Sequence, residues 1–402
     1  MGCSSLRSGT RLLAVLSLVG LALGGCGPTA SSGTAAPAAQ PAAGQSASAP
    51  AAAPPPAAAS AGDRAAAPAG WDEMVAAAKQ EGRLVISAPA NTIWREQLTA
   101  FQKDYPEIQV EYTGGNSRDF WPRVAQERAG GQYLWDVRIG GPDPQVFAAK
   151  EDGTLEAARP ILVLPDVLDD SKWFGGFDSI FADKEQRFIP GFLSSVGSPA
   201  YVNRDLVPES EIRSERDLLD PKWRGKIVIQ DPRGGAGLAF LTTFLQVHGE
   251  QFVRDLLSQD MVVSGDNRQL TEWIVRGRYP IAIGLRAYDL LVFQQEGLGK
   301  NVRPVRGGEA LPLSIGSGSI QMISQAPHPN ASRVFSNWLM TQRVQQSLSE
   351  AALENSRRTD VPVARPEEMP DRTQLDKYVA HQDEALLPVR VRAQQLAEEY
   401  LK

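Results

Sequence analysis

From Lys226 to Gly237 the chain reads KIVIQDPRGGAG: a short apolar strand, then Asp231-Pro232-Arg233, then a glycine cluster that opens a helical segment over Leu238 to Val247. A strand that feeds a glycine-rich turn at a helix N-terminus leaves backbone N–H groups free to hold an oxyanion. It also commits the chain to a strand–loop–helix architecture, and the same order recurs along its length. Arg83 to Ser87, Ile108 to Tyr112 and Trp135 to Ile139 read as buried strands. Each ends in a small polar loop, and helical patterns follow over Trp94 to Asp104 and Asp119 to Ala129. Met261 to Val263, Tyr279 to Leu285 and Gly318 to Ile323 repeat the pattern, with helices at Gln269 to Val275 and Ser332 to Met340. Strands alternating with helices predict an α/β fold with open, mostly parallel sheets, whose ligands bind at the carboxyl ends of the strands.

Other stretches read less regularly. Leu193 to Val202 has strand character and closes on Asn203, and an acidic helix-like stretch follows it. Residues 150–190 read as loops and short helices whose aromatics, Trp173, Phe174, Phe177 and Phe181 among them, pack against the first part of the fold. The stretch from Leu348 onward reads as helical and charged, a brace for the structure before it.

Composition removes several classes of function. The formal charge is −6 and no basic stripe occurs, which argues against a nucleic-acid partner. The two cysteines, Cys3 and Cys26, both precede the globular region, so that region has no thiol nucleophile, thiolate metal site or internal disulfide. Three histidines, His248, His328 and His381, are too few for a His-rich zinc site, and His328 reads as a capping or packing residue. No nucleophile elbow, H-E-x-x-H motif or P-loop marks an enzyme.

The first residues carry an address. Arg7 and Arg11 precede the apolar run Leu12 to Leu23, which is too short to span a bilayer and suits an export signal. Leu23-Gly24-Gly25-Cys26 looks like a bacterial lipobox, which makes residues 1–25 a signal peptide and Cys26 the lipidated N-terminus. Residues 26–69, mostly Ala, Pro, Ser, Gly and Gln, then form a disordered tether, because such a segment buries too little apolar surface to offset its ordering entropy.

Three stretches carry a family resemblance: YVNRDLVP with RDLLDPKWRGKIVIQDPRGGAG, KQEGRLVIS with LTAFQKDYPEIQVEY, and APHPNASRVF. In wording and spacing these resemble the solute-binding proteins of bacterial ABC importers, in the branch that includes the ferric-ion binders, over about Trp71 to Leu348. The resemblance implies a two-lobed type II clamshell in residues 70–402. The first lobe would take about 70–195 plus part of 305–402, and the second about 204–304. Crossover strands near Gly191–Asn203 and 305–320 would join them.

A cleft built from strand-end loops would gather Asn91, Thr92, Asn116, Ser117, Gly141, Arg233, Gly235, Ser264, Arg286 and Tyr288. Arg118 and Arg268 stand beside the same loops, and Trp94 suits either a stacking platform or the core. Guanidinium forks and free amides suit a carboxylate or phosphate, so the expected ligand is a small anionic organic solute.

Ferric members of the branch use paired tyrosines in the loop after the strand at 279–285, with a histidine and an acidic residue from the first lobe. This chain reads GLRAYDLL there, with Tyr288 beside Asp289, and its first lobe is expected to offer no histidine. A ferric ion held by Tyr288, Asp289 and an exogenous anion is the alternative ligand, and no other cofactor is expected. The implied partners are an ABC permease and its ATPase, with the protein monomeric and lipid-anchored at the outer face of the cell membrane or in the periplasm. A receptor subunit for a membrane sensor and a secreted hydrolase are the rival classes.

Overall fold

The computed structural model describes residues 68–305, 307–371 and 373–401. The expected signal peptide, Cys26 and nearly all of the tether lie outside the described residues. No helix among the described residues is long and apolar enough to cross a membrane.

The first lobe forms around β1 (Arg83–Ala88), β2 (Gln109–Gly114) and β3 (Val137–Ile139). These run parallel, with β1 central, and β11 (Ile320–Met322) closes the sheet antiparallel to β3. Leu84, Ile86, Val137 and Ile139 are buried, as expected of strands covered on both faces. Helices α1 (Trp71–Glu81), α2 (Thr92–Thr99), α3 (Phe101–Asp104), α4 (Ser117–Ala129), α5 (Pro144–Glu151) and α6 (Pro165–Leu168) follow in order. Leu98, Phe101 and Ile108 join the β1 residues in one core with Phe335 and Leu339 of α10 (Pro329–Met340). Trp173, Phe177 and Phe181 enter that core too, so the aromatics of 150–190 pack.

The second lobe is a five-stranded sheet in the order β7 (Val262–Ser264), β6 (Ile227–Gln230), β8 (Ile281–Ile283), β5 (Tyr201–Asn203), β9 (Val302–Pro304). Its first three strands are parallel, and β5 pairs antiparallel with both neighbours. Helix α7 (Gly235–Leu257) leaves β6 through the glycine turn and breaks at Gly249, where φ is 81°. Helices α8 (Asn267–Val275) and α9 (Ala287–Gln295) complete the layer.

A small third sheet joins the lobes. β10 (Leu311–Ser314) pairs antiparallel with β4 (Ser195–Val196) and parallel with β12 (Tyr378–Ala380). The expected strand over Leu193 to Val202 is therefore two strands. β4 belongs to this joining sheet and β5 to the second lobe, with Gly197-Ser198-Pro199 as the bend between them. The acidic stretch after Asn203 is not a helix either. Pro208 interrupts it, and only the short 3₁₀ turn Glu215–Leu219 forms.

The largest departure lies at the C-terminal end. Helix α11 (Gln342–Ala352) stops at Leu353, in the left-handed region with φ 53°. The chain then runs irregularly, through Pro362, Pro366 and Pro370 and the short 3₁₀ turns Pro366–Glu368, Leu375–Lys377 and Glu384–Leu386, until α12 (Leu387–Tyr400). This strap is held to the first lobe by buried charges. Arg358 reaches Asp166 and Asp360 at 2.9 and 2.8 Å, and Lys150 reaches Glu384 at 2.7 Å. Its last helix instead buries Ala393, Leu396 and Ala397 in the second-lobe core. The strap thus touches both lobes, but through one helix and a long irregular run.

Candidate functional site

Between the two sheets lies a cleft of about 860 Å³. Three helix N-termini open onto it: α2 through Asn91 and Thr92, α7 through Gly235 and Ala236, and α9 through Arg286, Ala287 and Tyr288. Each follows the carboxyl end of a parallel strand, β1, β6 or β8, as the chain order requires. The backbone N–H groups of Gly235 and Ala236 have no partner among the described residues, so they are available to an oxyanion. The floor is the joining sheet, with Ser195, Val196, Pro312 and Ser314.

Of the residues expected in the cleft, Asn91, Thr92, Gly235, Arg286 and Tyr288 line it, and so do Trp94 and Asp289. Asn91 also caps α2, its side chain accepting from the Trp94 N–H at 2.9 Å. Arg286 is exposed and grips Asp289 at 2.7 and 3.2 Å, so part of its charge is already answered. Tyr288 is 48% exposed, its ring 5.9 Å from the Arg365 guanidinium. Trp94 serves the core chiefly: it is buried, with its ring 6.3 Å from that of Phe192.

The other five expected residues are not among those that line the cleft, and all but Ser117, whose hydroxyl has no hydrogen-bond partner among the described residues, have a local occupation. Asn116 caps α4 by accepting from the Asp119 N–H at 3.0 Å, and Ser117 is the first residue of that helix. Arg233 turns back onto Asp231 in a two-bond pair at 2.8 and 2.7 Å. Ser264 is buried and donates to the Asp266 carbonyl at 2.9 Å. A Cβ on Gly141 would overlap the Gly316 carbonyl and stand 2.9 Å from Gln382 Nε2, so this glycine permits a close approach of the strap. Arg268 lies 5.3 Å over the Phe293 ring.

The strap supplies what sequence reasoning missed. Glu354, Arg365, Glu368, His381, Gln382 and Arg390 all face the cleft. Asn355 fixes the Arg365 backbone from both sides, accepting its N–H and donating to its carbonyl, each at 2.8 Å. The Arg365 guanidinium then stands 2.9 Å from Glu368 Oε1 and 3.5 Å from Glu367 Oε1. Gln382 clasps the joining sheet, accepting from Ser314 Oγ and Ile315 N–H at 2.8 Å and donating to the Gly316 carbonyl at 3.1 Å. The prolines after Asn355 were the available signal that this stretch is not helix and is free to enter a cleft.

Burial sets the charge states. It pushes the Glu354 carboxyl up to about 7, assisted by the nearby Glu368 charge and opposed by Arg365. Glu368 is raised as well, chiefly by burial. Burial with the adjacent Arg390 charge pushes His381 down to about 3, so its imidazole is neutral at physiological pH. Burial lowers Arg390, with Asp143 acting against that, and its side chain makes no hydrogen bond or ion pair with the described residues. Histidine is therefore present around the cleft after all. His381 lines it, while His328 precedes α10 and sits 2.9 Å from Asp136 Oδ2, a packing and capping role. Among the described residues no group of three or more His, Cys, Asp or Glu is placed to hold a metal ion.

No protein-family model matches the chain, and neither does any curated protein sequence. Solved structures do match its fold. Iron-bound HitA from Pseudomonas aeruginosa superposes with a TM-score of 0.61 at 17% identity, covering 80% of this chain and 99% of its own. The Trichodesmium protein IdiA, or FutA, in complex with iron and citrate, gives the same four values. The ferric binding protein from Campylobacter jejuni gives 0.59 at 15% identity, covering 79% and 99%. The chain has the two-lobed clamshell fold of periplasmic binding proteins.

Proposed function

We propose that this chain is the extracellular solute-binding component of an ABC importer, which captures a small anionic organic solute between its lobes and delivers it to a permease. The observation that carries the reading is Arg390, a desolvated guanidinium with no hydrogen bond or ion pair among the described residues, lining the same cleft of about 860 Å³ as the free amides of Gly235 and Ala236. A cleft of that size suits an organic molecule, and a half-buried cation with free N–H groups suits its anionic end. The solute would touch both lobes only when they close, so binding would shift the population toward the closed form. Anchoring through Cys26, partnership with a permease and its ATPase, a monomeric state and a place at the outer membrane face or in the periplasm belong to the same reading. So does binding without turnover.

A second reading is ferric ion, and the structural neighbours favour it, since they are a ferric binding protein and iron-bound forms of HitA and of IdiA, or FutA. In this cleft it would use the Tyr288 phenol, Asp289 and an exogenous anion. The side chains weigh the other way: Tyr288 is the one phenol at that loop, and Asp289 is already tied to Arg286.

The two arginines separate in a binding assay. Replacing Arg390→Met is expected to weaken an organic anion by 10- to 100-fold, roughly 1.5–3 kcal/mol for a desolvated charge-assisted contact. Arg286→Ala is expected to cost less than about fivefold, because an exposed, already paired arginine contributes roughly 0–1 kcal/mol. Equal effects of the two substitutions, measured by titration calorimetry, would remove Arg390 as the anion site.

A further inference from the structure

Two ionisable side chains in the cleft have no contact partner among the described residues, and each has only one opposing charge, Asp143 for the first and Arg365 for the second, within electrostatic reach. Arg390 is one, and the Glu354 carboxyl is the other, with no hydrogen bond or ion pair to the described residues. Each also stands at the unfavourable end of its helix. Arg390 lies in the first turn of α12, where the aligned peptide dipoles already present positive charge; that turn holds no acidic residue, and Asp143 is the one opposing charge within electrostatic reach. Glu354 lies just past the C-cap of α11, at the negative end of that helix, with Glu368 as a further negative neighbour. Arg365 does not neutralise this carboxyl by contact, because its own ion pairs go to Glu367 and Glu368.

A fold that sought only stability would not place a guanidinium and a carboxyl so. Both are desolvated, both oppose their helix dipoles, and both face one shared space. A guest with complementary ends relieves all of these costs at once. We infer that the solute is a small zwitterion, with a carboxylate or phosphoryl group held at Arg390 and an ammonium group held at Glu354. This rests on the organic-anion reading above and adds the second, cationic end.

The raised proton affinity of Glu354 agrees with this, since a carboxyl raised by burial and by Glu368, against the pull of Arg365, is one that an arriving ammonium would draw back to its charged form. Glu354 stands close to the joining sheet, with one carboxyl oxygen 3.6 Å from where a Cβ on Gly316 would lie. The ammonium is therefore expected at the hinge side of the cleft.

Titration calorimetry on the full chain with matched pairs tests the inference: β-alanine against propionate, γ-aminobutyrate against butyrate, aminomethylphosphonate against methylphosphonate, with ferric citrate alongside. The aminated member of at least one pair is expected to bind at least tenfold tighter than its partner. Glu354→Gln is expected to bring that ratio close to one, and Glu354→Asp, which keeps the carboxylate, to retain part of it. Circular dichroism melts of both variants confirm that they fold. Equal binding within every pair, or a preference that survives Glu354→Gln, overturns the zwitterion and leaves the organic-anion reading in place. Binding confined to ferric citrate overturns both.

Discussion

Replacing Glu215→Ala is expected to destabilise the protein by about 3–5 kcal/mol, the cost of breaking a buried charged network by removing one partner. Glu215 is fully buried in the second lobe, where its carboxylate meets His248 Nε2 at 2.7 Å. It also accepts the Glu309 N–H at 2.9 Å and the Ala310 N–H at 2.8 Å. The alanine would strand the buried imidazole and two backbone donors in a space water reaches poorly. Residues 309 and 310 lead directly into β10, so the loss would loosen the strand on which the lobes are joined. Glu215→Gln keeps one acceptor oxygen and is expected to cost about 1–2 kcal/mol. Urea unfolding of the two variants checks the order, and an alanine cost below about 1 kcal/mol would show that the network does not bear on stability.

The second large effect falls in the glycine turn between β6 and α7. A Cβ on Gly237 would overlap the Gln230 carbonyl oxygen and stand 2.8 Å from Asp231 C and O. Those are backbone atoms, which no rotamer change can move, so Gly237→Ala is expected to cost about 3 kcal/mol by overpacking and to pull the α7 N-terminus out of the cleft. Gly235 carries a different demand, a left-handed φ of 55°, and Gly235→Ala is expected to cost about 1–2 kcal/mol. Gly234 is extended with nothing within 4 Å of a new Cβ, and alanine there is expected to be nearly neutral. The three substitutions thus form a ranked series, read by thermal melts. An equal response at all three would contradict the geometry.

That turn also shows what was legible in the sequence. A run such as Ile227-Val228-Ile229 followed by a glycine cluster encodes its strand and its helix start locally, and the strands of both parallel sheets read clearly for the same reason. Five of the ten residues expected in the cleft, Asn91, Thr92, Gly235, Arg286 and Tyr288, are strand-end residues that do face the opening. The other half misled because small polar residues after a strand have a prior local claim. Asn116 is spent on a helix cap, Arg233 on Asp231 and Ser264 on its own turn.

The strap was illegible for the opposite reason. Its course depends on partners far away in the chain: Arg358 on Asp166, Glu384 on Lys150, and β12 on β10. Local periodicity carries no trace of such pairings. The stretch reads as a charged helical brace, yet Arg365, Glu354 and Arg390 arrive in the cleft through these long-range contacts.

On the proposed reading the cleft takes an organic anion at Arg390. A thermal-shift comparison on the full chain tests it most directly, setting organic acids, phosphate esters and zwitterionic acids against ferric citrate and ferric chloride. A ligand that binds only the folded state raises the melting temperature with its concentration. A saturable rise is expected with an organic anion in iron-free buffer, lost or strongly weakened in Arg390→Met. A rise only with ferric salts, unchanged in Arg390→Met and accompanied by phenolate-to-iron colour, would contradict it and return the cleft to Tyr288 and a metal.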